Sequence, residues 1–112
     1  MTTPRRYTAR SKYGAVPTVV DGIRFDSKKE ARRYQELRLL EKAREIEDLT
    51  LQPIFSLKAS LGTVGEYRGD FCYTDLRTGL RVVEDVKGVD TPLSKWKRRH
   101  VKAQYGIEVQ LV

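Results

Sequence analysis

Three acidic residues and one lysine have the types and spacing that a hydrolytic site with a divalent metal needs. Asp70 is followed, after a gap of fourteen residues, by Asp85, and Lys87 comes two positions later. Glu30 lies upstream, in a segment that predicts a helix. Two carboxylates held within about 4–5 Å repel each other unless they are protonated, paired or bridged by a cation. A hard, oxygen-seeking cation suits such a pair, which favours Mg²⁺.

The segment around Asp85 predicts a β-strand. Because side chains alternate along a strand, Asp85 and Lys87 share one face and Glu84 points to the other. Antiparallel pairing with the preceding strand could bring Asp70 beside Asp85. Lys87 would then lie where it can orient or deprotonate an attacking water and offset negative charge on a scissile phosphate.

Each of these residues also has a purely structural interpretation. Glu30 is the third residue after Ser27, which is the spacing of a helix capping box. Asp70 could be a turn residue, and Asp85 could form a surface cross-strand salt bridge with Lys87 worth about 0–1 kcal/mol. The four residues taken together favour the metal site over four separate structural roles.

Local signals predict the elements that position these residues. The Asp21-Gly22 pair predicts a two-residue hairpin turn, since both turn positions need positive φ. Ser27 predicts the start of a helix that runs to about Glu45 and packs on more than one neighbour, within the domain or across a dimer. Thr91-Pro92 and Gly106 bracket a second helix.

Segments of period two predict the strands, at residues 54–59, 66–75, 80–87 and 107–112. The first three are joined by short connections containing glycine, which predicts a three-stranded antiparallel meander. The expected fold is therefore an α/β or α+β sandwich in a single domain, residues 1–112: hairpin, helix, meander, helix and final strand. Residues 1–13 are expected to form a flexible basic arm.

Composition limits the possible functions. The chain has 112 residues, a net charge of +7, one Cys and one His, so it can form neither an internal disulfide nor a zinc site of four N or S ligands. A Cys–His nucleophile pair is also disfavoured. The basic start is not followed by an apolar stretch, which predicts an intracellular protein without a signal peptide. The positive charge favours nucleic acid as partner, although charge that only maintains solubility is the alternative.

The second helix carries a basic face. Lys95, Arg98, Arg99 and Lys102 recur at helical spacing, and a face without acidic residues favours phosphate contacts over a merely solvated surface. Lys97 lies apart and could reach inward as an additional cation of the site. The flexible arm adds further candidates for DNA contact, or is simply a floppy terminus: Arg5, Arg6, Arg10 and Lys12.

The opposite face of the second helix is largely apolar. Leu93, Trp96, His100 and Ala103 form it. We expect Trp96 to anchor the core rather than stack on a base, and His100 to be a partly buried polar residue rather than a general base.

These residues resemble the PD-(D/E)XK nuclease superfamily, and within it a phage and prophage family catalogued as a domain of unknown function. The resemblance covers nearly the whole chain, through Ser11-Lys12-Tyr13, Asp21-Gly22-Ile23-Arg24-Phe25-Asp26-Ser27-Lys28-Lys29-Glu30-Ala31, Gln52-Pro53, Asp70-Phe71, Val83-Glu84-Asp85-Val86-Lys87-Gly88, Thr91-Pro92 and Tyr105-Gly106-Ile107.

The resemblance implies a restriction-endonuclease-like core with a set of site roles. Asp70, Asp85 and the carbonyl of Val86 would bind the metal, Lys87 would serve the nucleophilic water, and Glu30 would contribute from the first helix. The proline of the superfamily signature is replaced by Gly69.

The expected function is thus that of a phage-encoded, Mg²⁺-dependent DNA endonuclease in the cytoplasm of a bacterial host. Mn²⁺ is expected to substitute for Mg²⁺. Its expected substrates are branched intermediates of recombination and replication, including Holliday junctions. The enzyme is expected to be a homodimer that uses no small-molecule cofactor and does not bind a membrane. Two alternatives stay open: a non-catalytic nucleic-acid-binding or transcription-machinery accessory protein of a phage, and a basic subunit that only mediates assembly.

Overall fold

The computed structural model describes residues 16–86 and 90–112, which form a mixed α+β protein. The predicted basic arm and Lys87 lie outside this described part. The helices are α1 Lys28–Lys42 and α2 Pro92–Tyr105, and the strands are β1 Thr18–Val20, β2 Ile23–Phe25, β3 Ile46–Leu51, β4 Ile54–Ala59, β5 Gly62–Arg68, β6 Phe71–Asp75, β7 Arg81–Asp85 and β8 Val109–Leu111. No helix in these ranges is long and apolar enough to span a bilayer.

The chain divides into two compact units, Met1–Leu39 and Leu40–Val112. In the first, β1 and β2 form the predicted hairpin, with positive φ at Asp21 (54°) and Gly22 (76°). The Tyr34 hydroxyl donates to the Asp21 carboxylate at 3.1 Å, and the Tyr34 ring packs 5.0 Å from that of Phe25. The hairpin is thereby fixed to the first half of α1.

The second unit is built on a long antiparallel hairpin that is interrupted in both arms. β3 pairs with β6 and β4 pairs with β5, in a register that is unchanged across the interruption. The backbone N–H of Gln52 donates to the carbonyl of Asp70 at 2.9 Å, and that of Gly69 donates to the carbonyl of Pro53 at 3.0 Å. The sequence predicted β4 but not β3, so the first arm is longer than expected.

Local geometry accounts for the interruption. Proline has no N–H to donate to a strand ladder, and the preceding Gln52 has a φ of 51°. Opposite it, Gly69 lies so close to β7 that an added Cβ would come within 2.9 Å of Val83 Cγ1. The close approach explains why glycine stands at this position, and why the predicted strand at residues 66–75 is divided into β5 and β6.

β6 continues into a four-stranded sheet of order β3-β6-β7-β8. β6 pairs antiparallel with both β3 and β7, whereas β8 lies parallel to β7, as a strand reached through a helical crossover can. The antiparallel pairings expected of a meander are therefore present but are divided between two sheets. The prediction of one domain over residues 1–112 stays a prediction.

The predicted caps of α2 are confirmed. Thr91 Oγ1 accepts a hydrogen bond from the N–H of Ser94 at 3.1 Å, and Gly106 adopts a left-handed φ of 71°. Val101 of this helix is fully buried in a cluster with residues from the long hairpin, from β6 and from β7: Leu57, Tyr67, Cys72 and Val83.

The prediction that Trp96 anchors the core is wrong. Trp96 is 46% exposed and Leu93 is 61% exposed. The stripe of α2 with reduced exposure runs instead through Ser94, Arg98 and Val101. A helical wheel shows which residues share a face of a helix, but not which face packs on the sheet. Here the inward-facing stripe includes Arg98, a residue of the predicted basic face.

Candidate active site

Asp70 and Asp85 lie at the paired ends of β6 and β7. Asp70 immediately precedes β6, and Asp85, the last residue of β7, is only 5% exposed. The backbone N–H of Asp70 donates to the carbonyl of Glu84 at 2.9 Å, and the Asp70 carboxylate accepts from the N–H of Val86 at 2.7 Å. The Asp70 side chain thus accepts a hydrogen bond from the backbone just beyond β7, where the regular ladder of backbone hydrogen bonds ends.

The Tyr67 hydroxyl contacts one of the two acids. It donates a hydrogen bond to Oδ2 of Asp85. Burial raises the pKa of Tyr67, and the hydrogen bond to Asp85 and the negative charges of Asp85 and Asp70 raise it further, while the positive charge of Arg98 lowers it. Asp85 therefore contacts a buried phenol directly, whereas Asp70 affects the pKa of that phenol only through its charge.

Arg98 is less exposed than we expect for a residue of a face that contacts phosphate. Its guanidinium forms two hydrogen bonds with the Asp90 carboxylate, at 3.0 and 2.9 Å, and its side chain is 13% exposed. The hydrogen bond with Asp90 raises the pKa of Arg98, burial opposes the rise, and the charges of Asp90, Tyr67 and Asp85 add to it. Arg98 thus forms an ion pair with Asp90, and the charge of Asp85 also affects its pKa.

We call Tyr67, Asp70, Asp85, Asp90 and Arg98 the carboxylate cluster. Two side-chain contacts define it, that of Tyr67 with Asp85 and that of Arg98 with Asp90, and Asp70 lies next to Asp85 at the paired strand ends. Its donors are oxygens, which a hard cation such as Mg²⁺ prefers. Neither Tyr67 nor the Arg98–Asp90 pair was predicted, because no local spacing marks contacts between residues so far apart in the sequence.

The cluster fits a magnesium ion of low protein coordination. Within residues 16–86 and 90–112, no three His, Cys, Asp or Glu side chains are grouped to hold a metal. Mg²⁺ commonly uses one or two carboxylates and completes its shell with water and substrate phosphate. That Asp70, Asp85 and the carbonyl of Val86 hold such an ion stays a prediction.

Glu30 belongs to the N-terminal unit, at the start of α1. Its N–H donates to Ser27 Oγ at 3.1 Å, and the Ser27 hydroxyl donates to Glu30 Oε2 at 3.3 Å. The first of these is the hydrogen bond of a serine N-cap, and the second joins the two side chains. A metal-binding role for Glu30 stays a prediction, as does the role of Lys87.

Glu84 provides an internal comparison on the other face of β7. It is 1% exposed and accepts a hydrogen bond from the Tyr73 hydroxyl. β7 therefore carries two adjacent buried acid–tyrosine pairs that point in opposite directions. Only the pair on the Asp85 face belongs to the carboxylate cluster.

Four basic residues of α2 line an open groove of about 360 Å³, which we call the basic groove: Lys95, Arg98, Arg99 and Lys102. Lys95, Arg99 and Lys102 are exposed there. Glu108 also lines the groove and lies 3.3 Å from Lys102 Nζ. Lys97 is half-buried. DNA contact by these residues, and by the arm outside the described part, stays a prediction.

We expect the Tyr67 hydroxyl to make stability depend on alkaline pH. Because the pKa of Tyr67 is raised on folding, the phenol ionises in the unfolded chain near pH ~10 while it stays protonated in the folded one. The stabilisation is complete below that pH and is lost as the pH rises further. Urea unfolding should show a steeper loss above pH ~10 for the natural protein than for Tyr67→Phe, and parallel curves would contradict this.

The chain belongs to the DUF1064 family, which is described as proteins of unknown function; the family model matches residues 10–112. The match includes the carboxylate cluster, Lys87 and the basic groove. No match was found among curated proteins or among solved structures. The family therefore brings no activity with it, and function must be argued from the site.

Proposed function

We propose that this DUF1064 protein is a divalent-metal-dependent DNA endonuclease of the PD-(D/E)XK type. The observation that carries the proposal is that Asp70 and Asp85 lie next to each other at the ends of the paired strands β6 and β7. Carboxylates held together in a partly buried site repel, and a dication removes that repulsion. Lys87 supplies the amine of the Asp-x-Lys pattern.

Each residue has a distinct role in the proposed site. Asp70, Asp85 and the carbonyl of Val86 would hold Mg²⁺, for which Mn²⁺ is expected to substitute. Bound Mg²⁺ would acidify water and neutralise charge on the scissile phosphate. Tyr67 fixes the orientation of the Asp85 carboxylate, and Lys87 orients or deprotonates the attacking water.

The remaining assignments follow from the same proposal. We propose that the order of helix, paired strands, helix and strand represents a restriction-endonuclease-like core. The protein would act in the cytoplasm of a bacterial host, encoded by a phage. These assignments rest on the resemblance of the motifs.

Branched DNA is the proposed substrate. A basic groove on α2 favours a polyanion, and the charge of +7 favours it over the whole protein. The described residues of one chain contain one carboxylate cluster, so we propose that symmetric cuts in both strands of a junction are made by a homodimer with two sites. Holliday junctions are the first substrates to test.

Cleavage assays test the proposal directly. The full chain is incubated with a four-way junction, single-stranded DNA and linear duplex, each with Mg²⁺, Mn²⁺ or a chelator. We expect cuts in the junction with either metal and none with the chelator. Absence of cleavage of all three DNAs under both metals would overturn the proposal.

One observation favours a second candidate, a non-catalytic nucleic-acid-binding or transcription-machinery accessory protein. Both carboxylates already accept hydrogen bonds, from Val86 and from Tyr67, and the described residues contain no three-ligand group. This candidate predicts tight DNA binding without cleavage under any divalent ion.

A further inference from the structure

A second groove, of about 530 Å³, lies between α2 and β4 and shares no residue with the carboxylate cluster. Its lining combines two cations with aromatic and polar side chains, and none of the described lining residues is acidic: Lys58, Trp96, Arg99, His100, Ala103 and Gln104. Such a lining suits a ligand that is both flat and negatively charged.

Hydrogen bonds to the backbone of Lys58 fix the walls of this groove. His100 Nε2 lies 2.9 Å from the Lys58 carbonyl oxygen, which can only accept, so this nitrogen donates. The N–H of Lys58 donates to Gln104 Oε1 at 2.9 Å. The side chains of α2 thereby cover the edge of β4 that is not paired with β5, and the groove is formed before any ligand arrives.

Trp96 is the exposed aromatic surface of the groove. Its ring meets that of His100 edge to face, with centroids 5.5 Å apart at 71°. His100 is itself hydrogen-bonded to Lys58, so the ring that the indole packs against is fixed in place. Trp96 is nevertheless 46% exposed. Aromatic side chains placed beside cations form the stacking platforms of proteins that bind single-stranded nucleic acid.

We infer that this groove binds an unpaired DNA base, which stacks on Trp96 while its phosphate contacts Arg99. Arg99 lines both this groove and the basic groove with Lys95 and Lys102, so the backbone of the strand has a continuous basic path. The assignment rests on the proposed function and deepens it, because it names the single-stranded segments of branched DNA as the part that is recognised.

Stacking distinguishes this groove from a surface that only attracts phosphate. A base in a duplex must leave the helix before it can stack on a side chain, which costs a few kcal/mol. A single strand offers its bases without that cost. The groove should therefore favour single strands over duplexes at equal charge.

Trp96 is the only tryptophan of the chain, so fluorescence excited at a wavelength that tyrosine does not absorb reports on this position alone. The full chain is titrated with oligothymidylate and with a duplex of equal length. A metal chelator is present, so that binding is measured without cleavage. We expect strong quenching by the single strand and weak quenching by the duplex. Equal quenching by both would overturn the inference.

Substitutions give the second part of the test. Labelled-DNA anisotropy should show that Trp96→Ala weakens single-strand binding by about 5- to 100-fold, while duplex binding changes little. Trp96→Phe, which keeps a ring, should recover part of the loss. Leu93→Ala is the matched control, since Leu93 is exposed on the same helix outside the groove.

An unchanged affinity in Trp96→Ala, or an equal loss for both DNAs, would overturn the inference. Failure of the nuclease proposal is visible separately, as lack of metal-dependent cleavage by the natural protein. Circular dichroism of each variant shows whether α2 has kept its structure.

Discussion

Asp85→Asn is expected to reduce metal-dependent cleavage by about 10²–10³-fold. Asparagine has nearly the same size as aspartate, and its Oδ1 can still accept the hydrogen bond from Tyr67. The substitution therefore removes one negative charge from the carboxylate cluster while it leaves the packing at the end of β7 in place. The initial rate of junction cleavage in Mg²⁺ measures the effect.

Glu84→Gln is the matched control for this experiment. Glu84 precedes Asp85 in the same strand, is also buried, and also accepts from a tyrosine hydroxyl, but on the opposite face. The two substitutions make the same chemical change at neighbouring buried positions. We expect Glu84→Gln to keep cleavage within a few fold of the natural protein. Equal losses in the two variants would show that Asp85 supports the fold rather than the reaction.

Reversal of two charges in the basic groove is expected to weaken DNA binding at physiological salt by about 10-fold or more. Lys95 and Arg99 are exposed and line this groove. Each phosphate contact releases about one counterion, so Lys95→Glu/Arg99→Glu should also lower the slope of log affinity against log salt by about two. Anisotropy of labelled duplex at several salt concentrations measures both quantities.

The control must make the same change in net charge elsewhere. Lys42 and Arg77 are exposed in the second unit and line neither groove of α2. Lys42→Glu/Arg77→Glu should lower affinity through net charge alone and leave the salt slope nearly unchanged. A salt slope unaffected by the changes at Lys95 and Arg99 would reject DNA contact by the basic groove.

Elements fixed by local signals could be predicted from the sequence. The Asp21-Gly22 turn, the start of α1 after Ser27 and the Gly106 stop of α2 each depend on a few adjacent residues, and each is present. β3 was not predicted because residues 46–51 follow a run of strong helix formers and do not alternate clearly between apolar and polar side chains. Its pairing with β6 is a long-range contact that no local pattern reports.

The candidate site shows the same division. Strand alternation predicted correctly that Asp85 and Glu84 point to opposite faces. The contacts of Tyr67 with Asp85 and of Arg98 with Asp90 depend on how α2 and the long hairpin pack on β7. Helical spacing alone grouped Arg98 with Lys95, Arg99 and Lys102 on a face expected to contact phosphate, and it could not show that the inward stripe of α2 passes through Arg98.

Mn²⁺ binding, measured by titration calorimetry without DNA, tests most directly whether Asp70 and Asp85 form a site for a dication. We predict saturable binding to the natural protein and to Glu84→Gln, with loss of the signal in Asp70→Asn and in Asp85→Asn. Binding that persists unchanged in both aspartate variants, or no binding to the natural protein at any Mn²⁺ concentration tested, would contradict the assignment of the carboxylate cluster.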